Sequence, residues 1–238
     1  MRGLPSSRVI GVWERGQEQD STERALTLLA AACPGKTREE LAAYSLGRRD
    51  ACLLELRERT FAGGLNAFAE CPRCAAPLEY SLAAADLRER AAAAGGGPIA
   101  FEMDGFPFEL RLPDSTDLES ARRCRSVEEA RRTLARRCVV GQAAALEELP
   151  EAVVSRVAER LAEADPGADL LIDLGCPECG EAWQVVFDIA SYLWAEMAAR
   201  ARRLLGEAHV LARAYGWRER DILAMSAARR DFYLQMVT

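Results

Sequence analysis

The sequence predicts an α+β protein that is mostly helical and in which two cysteine-bearing turns stand far apart in the chain. The turns are two CPxC motifs, Cys71–Cys74 and Cys176–Cys179, and each is followed by a strand-like run. The 101 residues between the motifs (75 to 175) hold a β-hairpin signal and several helical patterns. We therefore predict a split zinc ribbon into which a hairpin-plus-helices subdomain is inserted.

The four cysteines of the two turns, Cys71, Cys74, Cys176 and Cys179, are predicted to bind one structural Zn²⁺ per chain. Zinc prefers a tetrahedron of soft ligands at about 2.3 Å, and two CxxC turns that face each other supply one. Gly180 follows the second motif, where such a turn often needs a positive φ, whereas Ala75 follows the first. Because four thiolates fill the shell, the zinc is expected to be structural and not catalytic.

Two other interpretations of the CPxC pairs stay open from the residues alone: redox-active motifs, or two independent disulfides. Redox CxxC motifs usually begin a helix, which lowers the thiol pKa. Strand-like sequence follows both motifs here, over Leu78–Leu82 and Trp183–Phe187, and this favours zinc. The remaining cysteines are interpreted as small core residues. They are Cys33, Cys52, Cys124 and Cys138.

Composition limits the function classes. The 238 residues carry a net charge of −6, which argues against a general nucleic-acid binder. The single histidine, His209, excludes most His-based triads and multi-His metal sites. No run of 18 apolar residues and no apolar region near the N-terminus is present, so we expect neither a membrane span nor a signal peptide, and a cytoplasmic protein.

The predicted organisation has five parts. They are an N-terminal arm (1–20), an N-terminal helical module (21–66), the split ribbon (67–82 and 168–190), the insertion (83–167) and the C-terminal helices (191–238).

In the N-terminal parts, residues 9–13 are apolar enough for a short strand or a docking arm. This N-terminal segment either packs on its own domain or binds a partner. A helix is predicted over 21–32 with Ser21 or Thr22 as its cap. Thr37 and Glu40 form a predicted capping box, and a further helix covers 48–61. Gly47 either breaks the pattern or packs closely against a neighbour.

In the insertion, a short helix over 83–94 is predicted to end at 95–98. The strongest hairpin signal follows over 101–112, where Asp104-Gly105 forms the turn and Pro107 is expected on an edge. Ser126 and Glu129 predict a capping box for a helix through Val140, and another helix begins near Pro150.

The C-terminal part contains a long amphipathic helix ended by Gly216 and two shorter helices, the last capped by Ser226. Its apolar stripe either packs within the chain or is presented to a partner. The candidate partner-binding residues are the aromatics Trp194, Tyr215, Trp217 and Tyr233.

Three segments resemble one known family. They are 208–234 with its Tyr215-Gly216-Trp217 corner, Gly47–Arg57 before the first CPxC turn, and Phe187–Trp194 after the second. The chain resembles the baseplate and baseplate hub assembly proteins of contractile-tailed phages and of phage-like contractile injection systems, over about 44–82, 99–118 and 170–237. By position, the resemblance implies that the four CPxC cysteines are zinc ligands, and it implies no catalytic residue.

The resemblance implies a non-enzymatic structural or assembly protein that contacts other baseplate or tail proteins and acts on no small-molecule substrate. The alternative is a nucleic-acid-binding zinc-ribbon regulator, which the acidic charge and the scarcity of basic and aromatic residues on the ribbon disfavour. A thiol oxidoreductase is disfavoured by the single histidine and by the strands that follow both motifs.

Overall fold

The computed structural model describes residues 1–92, 99–103, 105–145 and 148–237. Its helices are α1 (Ser6–Gly16), α2 (Ser21–Ala32), α3 (Arg38–Ala42), α4 (Leu46–Thr60), α5 (Ala84–Ala92), α6 (Ser115–Arg122), α7 (Val127–Cys138), α8 (Glu151–Ala164), α9 (Ile189–Tyr215), α10 (Glu219–Leu223) and α11 (Ala227–Gln235). Its strands are β1 (Leu65–Glu70), β2 (Pro77–Leu82), β3 (Ile99–Met103), β4 (Phe106–Leu110), β5 (Val139–Val140), β6 (Leu171–Gly175) and β7 (Ala182–Val186). The chain is α+β and mostly helical, as predicted.

All strand pairs in the described residues are antiparallel. β1 and β2 form one hairpin and β6 and β7 form another, whereas β3, β4 and β5 form a three-stranded sheet in that order. The two hairpins carry the CPxC turns. The three-stranded sheet belongs to the segment between the turns.

The main hydrophobic core lies between α1, α2, α4 and the long helix α9. Val9 and Val12 of α1 are fully buried, as are Leu193 and Met197 of α9. The prediction of a strand over residues 9–13 is therefore wrong. The apolar positions of this segment instead form the buried face of a helix, and Gly16 lets it approach α9, because a Cβ there would lie 2.4 Å from the ring of Trp194.

A second core forms within residues 99–161, where α7 and α8 pack against the three-stranded sheet. Helix α7 ends at Cys138, and Val139–Val140 is a third strand, not the end of the helix as predicted. These β-branched residues fit the pleated surface opposite Glu109 and Leu110. Helix α5, in contrast, packs on α4 and contributes Leu87 to the main core.

The predicted hairpin is confirmed as β3 and β4, and Gly105 in its turn has φ of +75°. β4 is the middle strand of its sheet, so Pro107 does not lie on an edge strand as expected. It is tolerated because β5 pairs only with residues further along β4. Asp104 and the predicted helix break over 95–98 lie outside the described residues.

Helix caps agree with the sequence only in part. The Thr37–Glu40 capping box is confirmed, with both hydrogen bonds present. Helix α2 is capped by Asp20, whose side chain accepts the Glu23 N–H, and not by Ser21 or Thr22. Ser126 caps α7 as predicted, but the Glu129 carboxylate accepts from the Arg125 N–H, so the reciprocal bond of a capping box is not made.

The second core is joined to the main one near the start of α4. The Gly47 N–H donates to Asp165 Oδ2 at 3.0 Å, and the Leu46 N–H donates to the Pro113 carbonyl at 3.1 Å. Of the two predictions for Gly47, close packing is confirmed, because a Cβ there would lie 1.9 Å from Asp165 Oδ1.

At the C-terminal end, α9 stops at Gly216, whose φ of +69° confirms the predicted cap. Helices α10 and α11 fold back onto α9, and Ser226 caps α11 as predicted. Arg230 of α11 donates to Glu207 of α9 at 2.9 Å, and both side chains are buried. Within the described residues, no helix is both long enough and apolar enough to cross a membrane.

Candidate metal centre

The two CPxC turns are built in the same way at the ends of two hairpins. Strand β1 leads into the first turn and β2 leaves it, whereas β6 and β7 flank the second. The Cys71 N–H donates to the Ala76 carbonyl at 3.0 Å, and the Cys176 N–H donates to the Glu181 carbonyl at 2.8 Å. β2, β6 and β7 were expected from the sequence, whereas β1 was not.

Each turn closes with a residue in the left-handed conformation. The Ala75 N–H donates to the Cys71 carbonyl at 2.9 Å, and the Gly180 N–H donates to the Cys176 carbonyl at 3.0 Å. The φ angles of Ala75 and Gly180 are +58° and +71°. The predicted role of Gly180 is confirmed, and Ala75 takes the same conformation despite its Cβ.

The four sulfur atoms converge into one cluster. Cys71 Sγ lies 3.6 Å from Cys179 Sγ, and Cys74 Sγ lies 3.6 Å from Cys176 Sγ. All four lie within 4.8 Å of one another. A tetrahedron with metal–sulfur bonds of about 2.3 Å has edges of about 3.8 Å, so this spacing suits a single ion at the centre.

Both of these 3.6 Å sulfur–sulfur distances join a cysteine of one turn to a cysteine of the other. The cluster therefore behaves as one site to which both turns contribute. A metal ion bound there would connect two points of the chain that 101 residues separate.

Burial and hydrogen bonds make the four thiols unequal. Cys71 and Cys176 are buried, whereas Cys74 is exposed and Cys179 is half-buried. Burial alone would raise the pKa of Cys71, but the backbone N–H groups of Cys74 and Arg73 stabilise its thiolate and lower the pKa to about 7. A thiolate is the form that binds a metal ion.

The pKa of Cys179 is shifted the other way. The backbone N–H of Glu181 lowers it, but burial and the three neighbouring cysteines outweigh this and raise it to about 12. Four thiols this close cannot all lose their protons without a compensating cation, since each new thiolate repels the others. The cluster is thus chemically suited to a divalent metal ion.

Both hairpins are fixed to the helices that carry the main core. Tyr192 Oη of α9 donates to the Asn66 carbonyl of β1 at 3.1 Å, and Arg90 of α5 donates to the Leu171 carbonyl of β6 at 2.9 Å. Arg57 forms two hydrogen bonds with the Glu196 carboxylate. It also donates to the carbonyls of Gly63 and Gly64, just before β1. The main fold therefore positions the two turns against each other.

The other four cysteines lie away from this cluster. Cys33 and Cys52 pack at the edge of the main core, and Cys138 is fully buried in the second core, where burial raises its pKa to about 12. Cys124 is half-buried with its sulfur 3.4 Å from Thr133 Oγ1. The interpretation as small packing residues fits these positions.

The four candidate partner-binding aromatics fall into two environments. Trp194 is buried in the main core, with the Arg24 guanidinium 4.7 Å from its ring centre. Tyr215, Trp217 and Tyr233 form a half-buried cluster at the far end of α9, with ring centres 4.5 to 5.6 Å apart. The apolar stripe of α9 is covered by the rest of this chain.

Two surface features were missed by the sequence analysis. Phe232 of α11 is 62% exposed and contacts Tyr233 of the aromatic cluster, and Met236, just after α11, is 64% exposed. A basic groove also lies between α1 and α2. The sequence did not reveal this groove, because residues 9–13 were predicted to form a strand and the helical spacing of Arg8 and Arg15 was therefore not recognised.

No protein-family model matches this chain, and no curated protein and no solved structure matches it at a significant level. The fold and the site define an α+β protein with four clustered cysteines that can hold a metal ion. The resemblance to baseplate proteins and the choice of metal stay predictions.

Proposed function

We propose that this chain is a non-catalytic structural or assembly protein of a contractile-tail or injection-system baseplate, stabilised by one structural zinc ion. The observation that carries the proposal is the convergence of Cys71, Cys74, Cys176 and Cys179 within 4.8 Å from opposite sides of a long insertion. Such a site supplies a cross-link to the fold and leaves no coordination position for a substrate.

The donor set favours zinc. Four thiolates in a tetrahedron are typical of Zn²⁺ or of iron–sulfur chemistry, and paired hairpin turns of this kind are typical of structural zinc. The apparent free energy of zinc binding by such sites is about 10–16 kcal/mol, which couples directly to folding. The ion would hold the two hairpins together while the helices remain free to contact partners.

The assignment to a baseplate is based on the sequence resemblance, and the C-terminal region supports it. That segment ends in a corner where Tyr215, Trp217 and Tyr233 are half-buried and Phe232 is exposed. Residues 190–238 contain eight Arg against three Glu and two Asp, a net charge of +3 in a chain of −6. An apolar and basic corner suits the acidic surface of a neighbouring subunit.

The alternative, a nucleic-acid-binding ribbon, has less support. Arg73 is the basic residue within the CPxC turns, and it lies 3.6 Å from Glu181 of the other turn, which offsets its charge. Glu178 occupies the matching position in the second motif. A phosphate backbone would meet little free positive charge at this site.

Metal analysis tests the zinc site. We expect about one zinc per chain in the purified protein, and loss of that zinc in both Cys71→Ser and Cys176→Ser, because both turns contribute to one ion. Cys124→Ser is the matched control and should keep the metal. Iron in place of zinc, or zinc retained by one of the two turn variants, would contradict the proposal.

Co-expression with the baseplate proteins of the same genome tests the functional assignment. We expect a complex that survives size-exclusion chromatography and that weakens in Trp217→Ala and Phe232→Ala. Val127→Ala, at an 87% exposed position of α7, is the control. Two outcomes would contradict the assignment. One is normal baseplates in electron micrographs after deletion of the gene, and the other is selective retention of DNA by the protein at physiological salt.

A further inference from the structure

A groove of about 580 Å³ runs between α1 and α2, and Arg38 at the start of α3 also lines it. Its lining combines three arginines with small apolar and uncharged polar side chains. The lining residues are Ser7, Arg8, Gly11, Arg15, Gln19, Thr27, Ala30, Ala31, Pro34 and Arg38. None of them is acidic and none is aromatic.

The groove follows from helical spacing on two neighbouring elements. Arg8, Gly11 and Arg15 lie three and four residues apart, so they share one face of α1. Ala30, Ala31 and the nearby Pro34 form the opposite wall on the α2 side. Gly11 and the two alanines are small, and the end of the Arg15 side chain lies 3.8 Å from the position that a Cβ of Gly11 would take.

Within the described residues, these three arginines form no ion pair. Arg8 donates to the Ala31 carbonyl at 2.8 Å, and Arg38 is 3.4 Å from Thr27 Oγ1. Both acceptors are uncharged, and each guanidinium has further N–H groups to offer. Glu39 is near enough to influence Arg38 electrostatically, and both residues also line a neighbouring cleft.

This lack of carboxylate partners contrasts with the buried and half-buried arginines among the described residues. Most of those arginines pair with Asp or Glu, as Arg57 does with Glu196 and Arg230 does with Glu207, whereas the three arginines of the groove are exposed. The chain has an excess of acidic residues overall, with 37 Asp and Glu against 31 Lys and Arg. Three arginines that form no ion pair among the described residues surround one groove and provide a local positive field.

We propose that this groove binds an acidic peptide segment of a partner protein, with Asp or Glu side chains of the partner paired to Arg8, Arg15 and Arg38. The planar guanidinium matches a carboxylate through two parallel hydrogen bonds. The small apolar floor accommodates a peptide backbone and its apolar side chains. The groove is separate from the metal centre, and the proposal that it binds an acidic peptide does not depend on the proposed function.

The shape and lining favour a peptide over other anions. A single phosphate ion would occupy only a small part of the groove and would leave its apolar floor unused. A nucleotide base would find no aromatic ring among the lining residues on which to stack, and stacking is the usual source of affinity for single strands.

Fluorescence anisotropy with the full-length protein tests the proposal. The probe is a fluorescein-labelled peptide of alternating Glu and Ala, and the same peptide with Lys in place of Glu is the comparison. We expect saturable binding of the Glu peptide alone, weakened by added salt. The triple variant Arg8→Ala, Arg15→Ala, Arg38→Ala should bind roughly tenfold or more weakly.

A second variant separates the groove from general charge effects. A Cβ at Gly11 would meet only the end of the Arg15 side chain, at 3.8 Å, so Gly11→Leu should fold and fill the floor without changing the charge. We expect it to bind the Glu peptide roughly tenfold or more weakly as well. Its thermal unfolding verifies that the fold is intact.

The matched control removes three other exposed arginines outside the groove, as Arg125→Ala, Arg202→Ala, Arg213→Ala. It has the same net charge as the triple variant and should bind like the unchanged protein. Equal loss in this control, unchanged binding by Gly11→Leu, or equal binding of the Lys peptide would overturn the proposal. So would a single-stranded oligonucleotide that displaces the Glu peptide and binds more tightly.

Discussion

The two turns at the metal site differ at the residue that closes each of them, Ala75 in the first and Gly180 in the second. Ala75 holds a φ of +58° and Gly180 holds +71°, yet an L-residue with a Cβ is disfavoured there by roughly 1–2 kcal/mol. Ala75 is the one non-glycine residue with positive φ among the described residues. The first turn therefore carries a conformational cost that the second does not.

Exchanging these residues tests the cost. We expect Gly180→Ala to lower the free energy of unfolding by about 1 kcal/mol, because no atom within 4 Å obstructs the added methyl and only its conformation is unfavourable. Ala75→Gly should be neutral or stabilising by up to about 1 kcal/mol. Urea unfolding with metal present measures both.

Gly175→Ala is the control for this pair, since Gly175 has open space around it and no positive φ. It should change stability little. A Gly180→Ala variant as stable as the unchanged protein would show that the turn does not require the left-handed conformation.

Gly47 is needed for a different reason, namely close contact. An added Cβ would lie 1.9 Å from Asp165 Oδ1, and the displaced carboxylate would lose its hydrogen bond from the Gly47 N–H. We expect Gly47→Ala to cost about 1–3 kcal/mol despite the better helix propensity of alanine. Chemical denaturation measures the change.

Gly206→Ala is the comparison for Gly47→Ala, and we expect it to raise the free energy of unfolding where Gly47→Ala lowers it. Gly206 lies in the middle of α9 with no atom within 4 Å of an added Cβ, so alanine should stabilise the helix by about 0.5–1 kcal/mol. If both substitutions stabilised the protein, the contact at Gly47 would not be as tight as the structure shows.

Among the secondary-structure elements, the buried carboxylate of Asp117 connects a helix to its neighbours through hydrogen bonds. Asp117 of α6 is completely buried and accepts hydrogen bonds from Arg111 next to β4 and from Arg137 of α7, at 2.6 to 2.8 Å. It also accepts the Asp114 N–H at the start of its own helix. One carboxylate thus joins three parts of the second core.

This arrangement predicts a dependence on acid. Burial alone would raise the pKa of Asp117, but the hydrogen bonds from Arg111, Asp114 and Arg137 outweigh it and lower the pKa. A lowered folded pKa contributes stability above the unfolded value of about 3.9, and this contribution disappears as pH falls through the folded pKa. Unfolding measured between neutral and acidic pH should show the loss below about pH 4.

Asp117→Asn isolates that contribution. At neutral pH we expect a loss of about 1–3 kcal/mol, and the difference from the unchanged protein should shrink below about pH 4. Glu119 of α6 forms an exposed ion pair with Arg123, just after the helix, so Glu119→Gln should lower the free energy of unfolding by at most about 0.5 kcal/mol. A difference between Asp117→Asn and the unchanged protein that is constant with pH would contradict this role.

For the whole molecule, the proposed metal ion acts as a loop closure. It would connect the two turns across 101 residues, and a covalent cross-link over a loop of that length contributes about 4–5 kcal/mol in the chain-entropy model. The second core and α5 lie within this loop. An ion that binds the two folded turns and is released on unfolding stabilises the folded state.

Metal removal should therefore lower the midpoint of thermal unfolding by roughly 10–20 °C. The measurement compares calorimetry of the metal-loaded protein with the protein after chelation and verified metal loss. Faster amide exchange should be concentrated in the two hairpins, because the ion fixes their turns. An unchanged midpoint after complete metal loss would show that the helices alone hold the turns together.

The predictions that succeeded depend on short-range signals. Thr37 with Glu40, Gly216 after α9 and the hairpin around Gly105 each act through contacts within a few residues. The predictions that failed depended on partners far away in sequence. Val139 and Val140 form a strand only because β4 lies beside them, and residues 9–13 form a helix that is stabilised by burial against α9.

The linear sequence was enough to identify the residues that can bind a metal ion, because each CPxC motif combines its two ligands with the local turn that presents them. It also determined most of the helices, since their caps and apolar spacing lie within each segment. The packing of the folded chain was needed to show that the sulfur atoms of the two motifs meet, that Trp194 is buried and that three arginines line one groove. These outcomes depend on how distant helices pack, and packing sums many weak contacts between residues that the linear pattern does not connect.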